Sequence, residues 1–240
     1  MRRLPEGTPE LTAEVRGRQV RGAREGRDVE RVTVPSVDEI LRPQEMALQG
    51  QGHDGGFSYP PVVARQILLL RGINLGPRNR ISMPDLREAL ADAGFDDLRT
   101  YLQSGNVVVS TTAAPAAVRR KVERLISDRF GLEIAVVVRT RAQLAAVVKR
   151  DPLGEIATDP KRYQVSFLDG KLGAAVARKL EEVAAPGEEL VVSGREVFAW
   201  HPAGVARSKL WAMLAGKGLG VTATARNWTT VTQLLELAGD

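Results

Sequence analysis

The sequence predicts an α+β protein made of two copies of one β-α-β-β-α-β module, each copy followed by an extra helix. Three observations carry this. The element pattern of residues 66–155 recurs over residues 160–240. Both copies turn their central hairpin at a Ser-Gly pair, Ser104-Gly105 and Ser193-Gly194. Gly131-Leu132, Ile134 and Arg139-Thr140 also recur as Gly218-Leu219, Val221 and Arg226-Asn227. These landmarks lie roughly 87–89 residues apart, one supersecondary unit per copy, which is duplication and not a solenoid period. The element order is the ferredoxin-like arrangement.

The elements follow from local patterns. Ile67-Leu68-Leu69-Leu70 is a short apolar run, read as a buried strand. After a polar loop, Ser82 is placed to cap a helix with Pro84 and Asp85 in its first turn. Leu86, Ala89, Leu90 and Ala93 fall at helical spacing, and Gly94 ends it. Thr100–Leu102 and Val107–Val109 form a hairpin. A second helix spans about Ala116–Phe130, with Val118, Val122, Leu125 and Ile126 on one face and Gly131 closing it. Ile134–Val138 is the fourth strand, and Thr140 caps the extra helix carrying Leu144, Val147 and Val148. The second copy reads as a strand at Val165–Leu168, a helix over Leu172–Val183, a hairpin of Leu190–Val192 with Val197–Trp200, a helix over Ser208–Ala215, a strand over Val221–Ala225, and a last helix capped by Asn227.

Residues 1–65 differ in kind: dense Arg and Glu, scattered Gly and Pro, and a Gly/Gln stretch at 49–56. They are read as a disordered or mis-annotated extension, with Val62 or Val63 as a candidate true start; a basic arm for nucleic acid is the alternative. The chain has 240 residues, a net charge of +5, no cysteine and two histidines. Disulfides, thiolate nucleophiles and thiolate metal sites are thereby excluded. No metal site is expected, and His53 and His201 are both read as ordinary surface residues. With no apolar run near the roughly 18 residues of a membrane span, the expected location is cytoplasmic.

The first copy has a long loop between its first strand and helix, Gly72 to Ser82, where the second has a short turn near Asp169-Gly170-Lys171. A loop elaborated in one copy only is not required by the fold, so it is a candidate site. Arg71, Asn74, Arg78, Asn79 and Arg80 supply donors, and glycines beside a helix start suit an anion. Arg207, Ser208 and Lys209 form a second constellation, where two cations crowd a helix N-terminus. Arg226 and Trp228 form a third; Trp228 either stacks on a ligand or packs over the helix end. Gln103 and Asn106 flank the first hairpin. Among the acids, Asp85, Glu88, Asp96 and Asp97 show no acid–base pairing, so no catalytic residue is nominated.

Leu69-Leu70-Arg71-Gly72-Ile73-Asn74-Leu75-Gly76, Tyr101-Leu102-Gln103-Ser104-Gly105-Asn106-Val107, Arg207-Ser208-Lys209-Leu210 and Ala223–Val231 together resemble the bacterial family called domain of unknown function 1697, over about Gln66–Leu237. The resemblance implies two related ferredoxin-like halves and brings no activity or cofactor. Members often have a second glycine and a lysine where this chain has Pro77-Arg78, and Pro77 removes one backbone donor from the loop. The leading expectation is a binding protein for an anionic, phosphate-bearing small ligand. The alternatives are a nucleic-acid-binding protein, an enzyme of unknown reaction and a pure interaction domain.

Overall fold

The computed structural model describes residues 63–216 and 218–239; the expectations for the N-terminal extension, His53 included, lie outside the described residues. Among the described residues the chain is a mixed α+β protein with two four-stranded antiparallel sheets and six helices. The first half runs β1 (Ala64–Leu70), α1 (Met83–Asp92), β2 (Asp96–Tyr101), β3 (Asn106–Thr111), α2 (Pro115–Phe130), β4 (Val136–Thr140) and α3 (Arg141–Arg150). The second runs β5 (Tyr163–Leu168), α4 (Ala174–Val183), β6 (Glu189–Ser193), β7 (Glu196–Trp200), α5 (Lys209–Ala215), β8 (Ala223–Asn227) and α6 (Trp228–Leu237). The sheets have the orders β2-β3-β1-β4 and β6-β7-β5-β8, so corresponding strands hold corresponding places.

The continuous apolar run in β1 is explained by cover on both of its faces. Leu68 and Leu70 pack with Leu86 and Leu90 of α1 and Val118, Val122 and Ile126 of α2. Ile67 and Leu69 point the other way, into a cluster shared with Val165, Phe167 and Phe198 of the second sheet. Leu144 and Val147 of α3 and Val231 and Leu234 of α6 complete that central cluster. A third cluster, on the far side of the second sheet, joins Leu168, Val197 and Ala199 to Leu180, Leu210 and Leu214. The third helix of each half therefore fills the space between the sheets. Burying each such aliphatic side chain contributes about 1.5–3 kcal/mol, so the central cluster binds the halves strongly.

Helix starts fix where the last strands end. Thr140 accepts from Gln143 N at 3.2 Å while the Gln143 side chain accepts from Thr140 N at 3.0 Å, a capping box on α3. Asn227 Oδ1 accepts from Thr230 N at 2.9 Å on α6. Pairing with β1 and β5 carries β4 and β8 right up to these caps, two residues beyond the spans expected from the sequence. Ser82 holds the cap position of α1 but makes no side-chain capping bond.

Candidate ligand-binding cleft

Arg139 and Arg226 hold matching places: each directly precedes a helix cap, paired with Ile67 on β1 and Val165 on β5 respectively. Each guanidinium crosses into the other half. Arg139 donates through Nε to Glu196 Oε1 (3.0 Å), through Nη1 to Val138 O (3.0 Å), and through Nη2 to Leu168 O (2.7 Å) and Arg195 O (3.0 Å). Arg226 donates through Nε to Asn106 Oδ1, and through Nη1 to Ala225 O (2.7 Å) and Thr224 Oγ1 (2.8 Å). Its Nη2 reaches Leu70 O (2.9 Å), Ser104 O (3.1 Å) and Gly105 O (3.4 Å). Four bonds of each set correspond: the carbonyl of the preceding residue, a leucine carbonyl and a hairpin-turn carbonyl of the other half, and at Nε a carboxylate for Arg139 but an amide for Arg226, which also reaches Thr224 Oγ1 and Ser104 O.

Aligning Ser104-Gly105 with Ser193-Gly194 sets the next residues, Asn106 and Arg195, opposite each other, and the backbone corrects this. Asn106 pairs with Leu69 and Glu196 pairs with Phe167, so Glu196 is the counterpart of Asn106. The first turn, residues 102–105, is two residues longer than the second, residues 194–195, which displaces the register. Gly105 is confined by this geometry. Its φ is +70°, and a Cβ there would lie 2.6 Å from Leu70 Cβ and 2.8 Å from Ile73 Cδ1.

The electrostatic consequence is unequal. Glu196 is paired with Arg139 at 3.0 Å and approached by Arg150 at 3.7 Å. Among the described residues Arg226 has no carboxylate within 4 Å. Burial lowers its pKa to about 10, which still leaves it charged at neutral pH. It borders a cleft of about 350 Å³ between the halves, together with Arg71, Ser104, Asn227 and Thr230 and with the apolar Leu75, Leu102, Trp211 and Leu214. Arg71 donates through Nη2 to Ala215 O (3.2 Å) and Gly216 O (3.0 Å), a cation on the negative end of α5.

The other expected site residues are distributed around this cleft. Asn74, at φ +56°, bonds Ile81 through both its Nδ2 (2.9 Å) and its Oδ1 (3.0 Å), and its Nδ2 also reaches Gln103 O (2.8 Å). It thereby ties the long loop to the β2–β3 turn. Asn79 Nδ2 reaches Gly72 O at 3.5 Å and Arg80 Nε reaches Gly76 O at 3.3 Å, so both fold the loop onto itself. Asn74, Arg80 and Gln103 line a separate open hollow of about 370 Å³ with Ile81 and Ser82. Arg78, Arg207 and Lys209 are exposed and stand outside the cleft lining. Trp228 stacks on Tyr163, with centroids 4.8 Å apart and planes 20° apart. Burial, then the neighbouring Asp151, raise the Tyr163 pKa.

His201 is not a surface residue. It is fully buried, with Nδ1 2.7 Å from Glu188 Oε1 and 3.3 Å from Ser208 Oγ. The turn before β6 and the start of α5 fold over the end of β7 and enclose it. Ser208 Oγ also accepts from Trp211 N at 2.9 Å as the cap of α5. Ser and Glu share one ring nitrogen here, which is not the arrangement of a nucleophile relay. Burial would push the Glu188 carboxyl up, but hydrogen bonds from His201, Ser208 and the Ala185 amide hold it below its ordinary value.

Tyr163, Phe167 and Phe198 lie in the central cluster, so neither sheet presents them to solvent. Among the described residues no three His, Asp or Glu side chains converge on a metal position, and no helix is long and apolar enough to cross a membrane. Trp211 was not singled out from the sequence; its spacing with Leu214 reads as ordinary helix core.

These features define a two-sheet α+β protein with a cationic, partly apolar cleft at the junction of its halves. The chain belongs to the family described as Protein of unknown function (DUF1697), whose model matches residues 63–198. Among solved structures it is similar to conserved bacterial protein SP0830 from Streptococcus pneumoniae, at a TM-score of 0.63 and 20% identity. That match covers 74% of this chain and 100% of the other, and at this identity it shows the fold alone. No curated protein matches the chain.

Proposed function

We propose that the chain binds a small anionic, phosphate-bearing ligand in the cleft beside Arg71 and Arg226. One observation carries the reading: two arginines in matching places both reach carbonyls across the junction, yet among the described residues Arg139 has a carboxylate, from Glu196, while Arg226 has Asn106. A buried charge without a counter-ion is costly, and an anion in the adjoining cleft supplies one. The donors of Arg226 are already engaged, so its contribution is its field. Direct bonds come from Arg71, whose Nε and Nη1 have no acceptor among the described residues, and from Ser104, Asn227 and Thr230. Exposed Arg78, Arg80, Arg207 and Lys209 add long-range attraction.

The halves are, in this reading, duplicated copies of one ferredoxin-like module. Their common strand order and the reciprocal arginines support it. A nucleic-acid function gains no support from the sheets, whose aromatics are covered.

The test is Asn106→Glu, which copies the Glu196 arrangement into the first half. The variant gives Arg226 a built-in counter-charge, at the expense of the bond from Asn106 Nδ2 to Tyr101 O (3.1 Å). Phosphate compounds that stabilise the wild type should no longer stabilise it. A ligand at 100 times its dissociation constant adds about 2.7 kcal/mol, a readily measured shift. Ligand shifts of equal size in both proteins would refute the reading.

A further inference from the structure

We infer that the ligand is an amphipathic organic anion, with an apolar body seated against Leu75, Leu102, Trp211 and Leu214 and its charged group toward Arg71 and Arg226. The inference rests on the anion-binding reading and names the class of ligand. Four large hydrophobic residues are exposed among the described ones, and two of them, Leu75 (81% exposed) and Leu102 (57%), border this cleft. They come from different segments, the long loop and the β2–β3 turn, which the Asn74 side chain binds into one frame.

Leu102 adds a second, independent observation. Its φ is +58°, the left-handed region where glycine or asparagine is the ordinary choice and a leucine is strained. An exposed leucine recovers little of that strain from burial within the protein. Strain retained at an exposed, cleft-lining position is the pattern of a ligand clamp. Trp211 and Leu214, one helical turn apart on α5, supply further apolar surface to the same cleft.

The molecule contains its own comparison. The cavity beside Arg139 is about 170 Å³ and is lined by Arg119, Asp169 and Arg195 with small apolar residues. It has neither an exposed leucine nor a tryptophan, and its arginine is neutralised by Glu196. Of these two cavities, the one beside Arg226 combines an arginine that has no carboxylate partner among the described residues with an apolar rim. A polyhydroxylated sugar phosphate would set hydroxyls against leucine and tryptophan, whereas an aryl or branched-alkyl anion covers them.

The experiment titrates the full chain with inorganic phosphate, glucose 6-phosphate, phenyl phosphate and the neutral benzyl alcohol, read by calorimetry and thermal shift. Phenyl phosphate should bind at least tenfold more tightly than the other three. Leu102→Gly should melt at or above the wild-type temperature, because the strain is relieved, yet lose most of that preference. Leu75→Ser should lose it too while leaving the response to inorganic phosphate unchanged. Equal affinity for the three phosphates, or an unchanged preference in Leu102→Gly, would overturn the inference and leave the anion reading intact. Benzyl alcohol binding as tightly as phenyl phosphate, or no response to any compound, would overturn both.

Discussion

At the scale of single residues, the buried polar groups divide into those that hold the fold and those that leave something over. Glu188, His201 and Ser208 belong to the first kind. The Glu188 side chain is 7% exposed and accepts from His201 Nδ1 at 2.7 Å and from Ala185 N at 2.9 Å. Its carboxyl pKa lies below the ordinary 4.5, so the charged form is favoured by folding. The stability it contributes is present above the unfolded pKa and is lost as pH falls through the lowered folded value. Glu188→Gln should therefore be less stable than the wild type at pH 7. The deficit should close as pH falls below about 4.5, measured as urea midpoints at successive pH values. A deficit that stays constant down to pH 3 would show that the carboxylate charge is irrelevant there. The sequence makes Arg71 a site candidate through the long loop that follows it, and Arg226 through Trp228 in the first turn of the helix beside it. The burial of His201 was not legible, since it comes from the turn before β6 closing over it, and periodicity along a strand carries no trace of that.

Among the elements, helices and central strands were the legible part. β1 reads as an apolar run because it is covered on both faces, and α3 and α6 announce their starts through Thr140 and Asn227. β2 reads poorly, since Asp96-Asp97-Leu98-Arg99 has little apolar content; Asp97 and Arg99 serve ion pairs at its start. The β2–β3 turn was located correctly at Ser104-Gly105, but its pairing with the second hairpin was not, because turn length sets register and the two turns differ by two residues. That turn also presents Gly105 O to Arg226 and to Leu70 N, the latter at 2.9 Å. Gly105→Ala puts a Cβ against the Leu70 and Ile73 side chains at a positive φ, so overpacking and backbone strain add. A loss of about 2–4 kcal/mol is expected in denaturant melts. Gly94→Ala, also at positive φ but with open space around its Cβ, should lose less, isolating the packing share.

At the scale of the whole molecule, the central cluster decides how the protein unfolds. Were the halves independent, each would keep a private core and melt separately. The outer clusters are private in that sense, but the central one draws Ile67, Leu69 and Val137 from the first sheet and Val165, Phe167 and Phe198 from the second. Separating the halves would expose those side chains and strand Arg139 and Arg226 away from their acceptors across the junction. Unfolding one half alone therefore costs most of what unfolding both does, and a single transition is expected with calorimetric and van't Hoff enthalpies equal. Phe167→Ala, a second-sheet change, should cost about 3–5 kcal/mol. It should also move the loss of first-half structure to lower temperature, followed by hydrogen exchange at Leu68 and Val108. Melting of the second half with the first left intact would show that the shared cluster does not couple them. The same coupling places Leu102, at its left-handed backbone angle, on a cleft wall shared by both halves, beside an arginine that has no carboxylate partner among the described residues.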